Sequence, residues 1–235
     1  MHILGPKISF PHPDSAHESG VLAIGGDLEL ERLLLAYQYG IFPWYNEDEP
    51  IVWWHPDPRF VLYPSEVTVA KSMRSIFNQN KYRVTIDQQF SEVIYHCKYT
   101  DRKDQDGTWI SDDIIEAYSD LHDSGYAHSV EVWSGDEVVG GLYGISLGKV
   151  FYGESMFSHE SNASKVALIA LARLLEQRNF YLIDCQIGNP HLEKMGGKHI
   201  PRSEFLKCMQ KNTFESTKQG SWADMTDGIT LKQLL

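Results

Sequence analysis

The sequence predicts an α/β (α+β) fold with a small N-terminal domain, residues 1–62, and a larger C-terminal domain, residues 63–235. Three observations carry this reading. A chain of 235 residues is long enough for one large domain, or for one domain with a smaller companion. Its character changes near Tyr63-Pro64, where an aromatic, proline-rich stretch gives way to alternating helix and strand patterns. In the second part, a strand pattern at 149–154, a helix pattern at 162–178 and an apolar run at 180–186 form a β-α-β unit.

The elements follow in order. "LELERLLLAYQYG" (28–40) places Leu30, Leu33, Leu34 and Tyr37 on one helix face, with Asp27 as its expected N-cap and Gly40 as its C′ residue. "IFPWYNEDEPIVWWHPDPR" (41–59) reads as an irregular aromatic segment. A helix is expected at 67–78, the strand "YRVTID" at 82–87, and a second helix from Phe90 to Cys97. The polar loop "TDRKDQDGT" (100–108) leads to Trp109, and Ser111 caps an amphipathic helix that ends at Gly125. Strands at 128–134, 137–146 and 149–154 come next, the first two joined by a Gly-Asp turn, and one or two short helices follow 186.

Composition narrows the function. The longest apolar runs fall short of the roughly 20 residues that span a bilayer, and the first 20 residues lack the basic and apolar regions of a secretory signal. Cys97, Cys185 and Cys208 are an odd set without metal-like spacing, which suits a reducing cytoplasm. A formal net charge of -11 disfavours non-specific nucleic-acid binding, leaves room for a local basic patch and suits a cationic partner.

The run "NFYLIDCQIG" (179–188) is apolar, yet places Asp184 and Gln186 two residues apart on one strand face. If strands 149–154 and 180–186 are parallel neighbours, their C-terminal ends share one sheet edge, where open α/β sheets bind ligands. Glu154 then joins Asp184 and Gln186 at a cleft. The bland alternative, strand-end side chains bonded to backbone or water, is about as common for such a pair on pattern alone. Other chemistries fit less well. "GESMF" (153–157) has Phe157 where a nucleophile elbow needs glycine, the sequence has no H-E-x-x-H, and "IGGDL" is neither a dinucleotide fingerprint nor a P-loop. Neither a metal nor a nucleotide cofactor is expected. The strand–helix–strand order suggests an acyl-CoA-dependent N-acyltransferase core, but "SHESNASK" (158–165) lacks the glycines that cradle pyrophosphate, so the acyl group is expected on another carrier. Trp44, Trp53, Trp54 and Trp109 are by default core residues. Together with Lys71, Arg74, Lys81 and Arg83 in "AKSMRSIFNQNKYR" (70–83), they would suit a single-stranded RNA end held by stacking and by phosphate contacts.

"GVLAIGGDL", "GIFPW", "WWHPDPR", "GTWI", "AHSVEVW", "VGGLYG", "FYGESMFS", "NASK" and "LIDCQ" stand in the order found in the bacterial leucyl/phenylalanyl-tRNA–protein transferases, and the chain resembles that family from about residue 10 to 209. The resemblance implies transfer of leucine or phenylalanine, less often methionine, from aminoacyl-tRNA to proteins with an N-terminal Arg or Lys, marking them for degradation. It implies a C-terminal domain like the N-acetyltransferase fold, without coenzyme A. It also implies residue roles: Asp184 polarising Gln186, Gln186 acting on the attacking amine, and Glu154 near the ester. Trp44 and Trp109 would hold the terminal adenosine with Tyr37 and Tyr118 nearby, Leu142, Phe151 and Leu171 would line the side-chain pocket, and Asn189 would lie at the substrate. The protein is expected to be a cytoplasmic monomer. Because Asp184 and Gln186 are held on a strand, the fold is expected to survive truncation of either. Three positions depart from the family pattern: His55 for a serine, expected to be neutral; Leu142 for a frequent methionine; and "HLEKMGG" (191–197). The competing function is a non-catalytic module that binds a tRNA end or an N-degron.

Overall fold

The computed structural model describes residues 2–100 and 108–235; most of the polar loop expected at 100–108 lies outside the described residues. Two sheets organise the chain. The small sheet has the order β1 (His2–Leu4), β2 (Val21–Gly25), β4 (Val52–Trp54), β3 (Phe42–Pro43). The large one has seven strands in the order β11 (Lys198–Ile200), β5 (Arg59–Leu62), β10 (Leu182–Gln186), β9 (Val150–Ser158), β8 (Glu137–Leu147), β7 (Ala127–Ser134), β6 (Arg83–Ile86). Within the large sheet only β9 and β10 pair in parallel. Helix α5 (Ala163–Glu176) makes the crossover between them that the β-α-β pattern requires.

The aromatic segment 41–59 is more regular than its prolines suggest. It supplies β3, β4 and the start of β5, with Trp53 fully buried and its indole N–H donated to the Gly25 carbonyl at 2.8 Å. β5 then pairs with β10 and β11 in the large sheet, so the change from one sheet to the other falls at residues 55–58, before the expected division at 62/63. The short runs 52–54 and 59–62 carry no alternation long enough to reveal a strand.

Helix α1 (Leu30–Gln38) has Glu29 rather than Asp27 at its N-cap; the Asp27 carboxylate pairs with Arg32, at 2.9 Å to Nε and 3.0 Å to Nη2, and its Oδ1 also accepts the Glu29 N–H at 3.2 Å. At its other end Gly40 has φ +70, and the N–H groups of Gly40 and Ile41 return to the carbonyls of Tyr37 and Ala36, a Schellman closure. Helix α2 (Lys71–Asn78) begins four residues later than expected, after a 3-10 turn at Pro64–Glu66. Helix α3 spans Phe90–Tyr99. Helix α4 (Asp112–Asp123) is capped by Ser111, whose Oγ accepts the Ile114 N–H at 3.2 Å. After β10 come α6 (Pro190–Glu193) and α7 (Arg202–Asn212).

Alternation along the central strands sorts the core into two layers. Leu142, Phe151 and Ile183 face α5 and α2, while Tyr143, Tyr152 and Leu182 face α1, α3, α4, α7 and the small sheet. The C-terminal segment belongs to the first layer through Trp222, Met225, Leu231 and Leu234. Trp222 stacks on His128 at 3.8 Å, and Asp87 accepts both the Trp222 backbone N–H and the His128 ring. Among the described residues no helix is long and apolar enough to cross a membrane.

Candidate active site

The site arises where two parallel strands part. β9 continues along β8 as far as Ser158, but its pairing with β10 ends at Asp184↔Tyr152. Beyond that point β10 breaks register against β5, and Gln186 takes a left-handed backbone at φ +63. A non-glycine residue in this region is uncommon and needs support from its surroundings. The support is Asp184, whose Oδ1 accepts the Gln186 backbone N–H at 2.9 Å. The gap between the diverging strands opens into a cavity of about 470 Å³.

Sequence reasoning placed many of the cavity's residues. Trp44, Trp109, Leu142, Phe151, Leu171, Glu154, Gln186 and Asn189 all line it. Leu142, Phe151 and Leu171 form apolar wall, each at most 3% exposed, whereas Trp44 and Trp109 are half-buried. Tyr37 and Tyr118 stand behind Glu154 and are fully buried. Asn189 caps α6, its Oδ1 accepting the N–H groups of His191 and Leu192. The basic residues lie elsewhere. Lys71 and Arg74 are on α2, and Lys81 and Arg83 are at β6, the opposite edge of the sheet. Four strand spacings separate β6 from β10, about 19 Å. Lys81 is also paired with Glu160 at 3.2 Å, and Arg83 lies over the Trp133 ring at 4.4 Å.

Glu154 is the hub of the polar groups. Its Oε1 accepts Tyr37 Oη at 2.8 Å and Gln186 Nε2 at 2.9 Å, and its Oε2 accepts Tyr118 Oη at 3.2 Å. The two tyrosine hydroxyls are also in hydrogen-bond contact with each other. Three O···O contacts join these three groups, but two tyrosines supply only two protons. A proton on Glu154 Oε2 given to Tyr118 Oη, with Tyr118 donating to Tyr37 and Tyr37 to Oε1, completes the ring. Burial pushes the Glu154 carboxyl up to about 8, against the lowering effect of the tyrosine and Gln186 hydrogen bonds and with the help of the Asp184 charge. Burial, and then the Glu154 charge, raise both tyrosines well above their ordinary range, so they remain donors.

Asp184 has a different place from the one expected. It is fully buried behind the cavity wall, and Arg59 holds it at two points, Nε to Oδ1 at 2.8 Å and Nη2 to Oδ2 at 2.6 Å. Its link to Gln186 runs through the backbone N–H; the Gln186 carboxamide points instead to Glu154. Arg59 is the residue that sequence reasoning missed. It is fully buried between the rings of Phe42 and Phe205, at 4.8 and 4.6 Å, and donates to the Gly40 carbonyl. Its signal was an arginine at the head of the apolar run "RFVL" (59–62), a position that requires a buried counter-charge. His55 is also buried, and burial followed by the charges of Arg59 and Arg202 lowers it to about 2, which keeps it neutral. Among the described residues no group of three or more His, Cys, Asp or Glu could hold a metal ion.

The cavity thus brings together a half-buried carboxyl, an oriented carboxamide, an apolar wall and two half-buried tryptophans. The family model described as "Leucyl/phenylalanyl-tRNA protein transferase" matches residues 61–210, and that of its N-terminal domain matches residues 26–57. The chain belongs to the leucyl/phenylalanyl-tRNA–protein transferase family. The transferase of Flavobacterium johnsoniae is 55% identical over 210 residues, covering 89% of this chain and 99% of that one. The transferase of Syntrophus aciditrophicus is 52% identical over 220 residues, 94% and 92% of the two chains. L-PGS from Bacillus licheniformis is a similar solved structure at TM-score 0.38 and 13% identity, over 72% of this chain and 54% of that one. As a member of the leucyl/phenylalanyl-tRNA–protein transferase family, the chain is an aminoacyltransferase that moves leucine or phenylalanine from aminoacyl-tRNA to the N-terminal residue of an acceptor protein.

Proposed function

We propose that transfer takes place in the cavity between β9 and β10, with Glu154 and Gln186 as the catalytic residues and Asp184 as the group that positions Gln186. The observation that carries this is the Gln186–Glu154 hydrogen bond at the cavity wall. An aminoacyl ester is already activated, so the protein has to orient ester and amine, remove one amine proton and steady the oxyanion. A carboxamide is too weak a base for the second task. Gln186 fits the first: with one N–H given to Glu154, its carbonyl oxygen can accept from the attacking amine. Glu154, the one carboxylate that lines the cavity among the described residues, takes the proton. The amine nitrogen bonds to the carbonyl carbon, the ester C–O bond breaks, and the ribose oxygen leaves as a hydroxyl with the proton that Glu154 took from the amine.

Trp44 and Trp109 hold the terminal adenosine by stacking, and Tyr37 and Tyr118 act through Glu154. Leu142, Phe151 and Leu171 receive the leucine, phenylalanine or, less often, methionine side chain. Lys71, Arg74, Lys81 and Arg83 bind tRNA phosphates away from the chemistry. The acceptor begins with Arg or Lys, which the acidic chain favours, and the product is an N-degron. The C-terminal part, from β5 onward, has the N-acetyltransferase type of fold; its support is the parallel β9–α5–β10 unit that opens past Tyr152. The protein works as a cytoplasmic monomer and needs no cofactor. The test is incubation of leucyl-tRNA with Arg-, Lys- and Ala-initiated peptides. Leucine on the first two alone supports the reading, and binding without extension would assign the module to recognition alone.

A further inference from the structure

We propose that Lys165, Lys194 and His191 hold the phosphodiester that joins the aminoacylated nucleotide to the nucleotide before it. The inference rests on the transfer reaction proposed above and adds a subsite to it. His191 and Leu168 both line the cavity. Lys165 precedes Leu168 by three positions on α5, and Leu171 follows by three, so the three lie along one helix face with Lys165 a turn nearer the helix start. Lys194 follows His191 by three residues at the end of α6, which places it on the same side. Lys165 and Lys194 thus stand one helical turn from the cavity residues Leu168 and His191. The charge effects agree: burial lowers His191, and after burial the main causes are Lys165 and Lys194.

These cations are unspent. Among the described residues neither Lys165 nor Lys194 forms an ion pair, in contrast to Lys81, Lys98, Lys198 and Lys218. Lys165 bonds to the neutral Asn162 Oδ1 at 3.0 Å, and the first turn of α5 carries no acidic residue. Glu193, the nearest acid in sequence, is exposed and pairs with neither. In a chain of net charge -11, the two lysines add positive charge on the His191 side of the cavity. They would repel an acceptor that begins with Arg or Lys, so this side of the cavity suits the anionic donor. A lysine binds phosphate as a point charge, and the neutral imidazole adds a directional N–H.

The experiment compares two minimal donors, 3′-leucyl-adenosine and 3′-leucyl-cytidylyl-adenosine, which differ by one nucleotide and its phosphodiester. The unmodified protein is expected to favour the dinucleotide in kcat/KM by roughly tenfold, about one charge-assisted contact. In Lys165→Ala/Lys194→Ala the ratio should fall to about twofold, and Lys165→Arg should retain most of it. Separately, the salt dependence of uncharged-tRNA binding should lose about 0.7 of slope for each single-strand contact removed, whether or not transfer occurs. An undiminished dinucleotide advantage together with an unchanged salt slope in the double variant would overturn the subsite. Failure of the unmodified protein to use leucyl-tRNA would instead overturn the transfer reading, and the salt titration would still decide the fate of the phosphate contact.

Discussion

Arg59 and Asp184, 125 residues apart in sequence, form a two-point ion pair with both side chains fully buried. The pair ties β5 to β10 and fixes the carboxylate that holds the backbone of Gln186 in its left-handed turn. Asp184→Ala would leave a buried guanidinium unpaired, a loss of about 3–5 kcal/mol in comparable pairs. The fold therefore depends on Asp184 more than its strand position suggests. Asp184→Asn, which keeps a side-chain carbonyl for the Gln186 N–H, should lower kcat with a smaller loss of stability, whereas Gln186→Ala should lower kcat at nearly unchanged stability. Denaturant midpoints and single-turnover rates on the same samples check both statements.

Glu154 gives stability a pH dependence of definite sign. Its folded carboxyl titrates at about 8, above its ordinary value of 4.5, so the folded state holds a proton that the unfolded chain has released between these limits. Its contribution is complete below about pH 4.5 and is lost as pH rises through about 8. With allowance for its partial exposure, the loss is on the order of 2 kcal/mol. Glu154→Gln, which cannot ionise, should melt several degrees above the unmodified protein at pH 9 and close to it at pH 5. Parallel melting curves that differ by the same amount at both pH values would contradict this.

The apolar wall should set side-chain choice by shape. Leucine and phenylalanine carry their bulk one carbon beyond Cβ, whereas valine and isoleucine branch at Cβ, close to the reacting carbonyl. Each buried methylene contributes only about 0.8 kcal/mol, so exclusion of β-branched residues rests on steric conflict with the wall. Phe151→Ala or Leu171→Ala should reduce use of leucyl-tRNA and favour bulkier side chains, at a stability loss of roughly 2–5 kcal/mol from the opened core. The measurement is transfer from leucyl-, phenylalanyl-, methionyl-, valyl- and isoleucyl-tRNA to one Arg-initiated peptide.

Phosphate contacts by the four basic residues should weigh unequally. Lys81 is engaged by Glu160 and Arg83 by Trp133, so Lys71 and Arg74 have the freer charges. Neutralising Lys71 and Arg74 together should reduce the salt slope of tRNA binding by about 1–2, and neutralising Lys81 should change it least. Salt titrations of the variants rank them.

Much of this arrangement was legible in the sequence because it rests on local rules. Periodicity placed α4, β7, β8 and α5, Ser111 and Gly40 marked helix ends, and the β-α-β pattern brought Glu154 to Gln186. The missed features depend on partners far along the chain. β5 is a four-residue run whose strand character comes from β10 and β11, and Asp27, paired with Arg32, sits two residues before the N-cap Glu29. The partner of Asp184 lay in a segment that prolines made look irregular. Spacing alone set Asp184 and Gln186 on one face, but the break in register turned one into the buried support of the other.

The central claim is that Glu154 takes the proton from an amine held by Gln186. Single-turnover transfer from leucyl-tRNA to an Arg-initiated peptide, followed from pH 6 to pH 9.5 at saturating substrates, tests it most directly. In the unmodified protein the rate should rise with pH and level off above about pH 8, as both Glu154 and the peptide amine lose their protons. Gln186→Ala should lower the rate by at least roughly tenfold and keep that profile, because the base is intact. Glu154→Gln should lower it at every pH and leave one ionisation, that of the peptide amine, so that below about pH 7 the log of the rate rises with a slope of about 1 instead of about 2. A Glu154→Gln enzyme with the rate and pH profile of the unmodified protein would contradict the account.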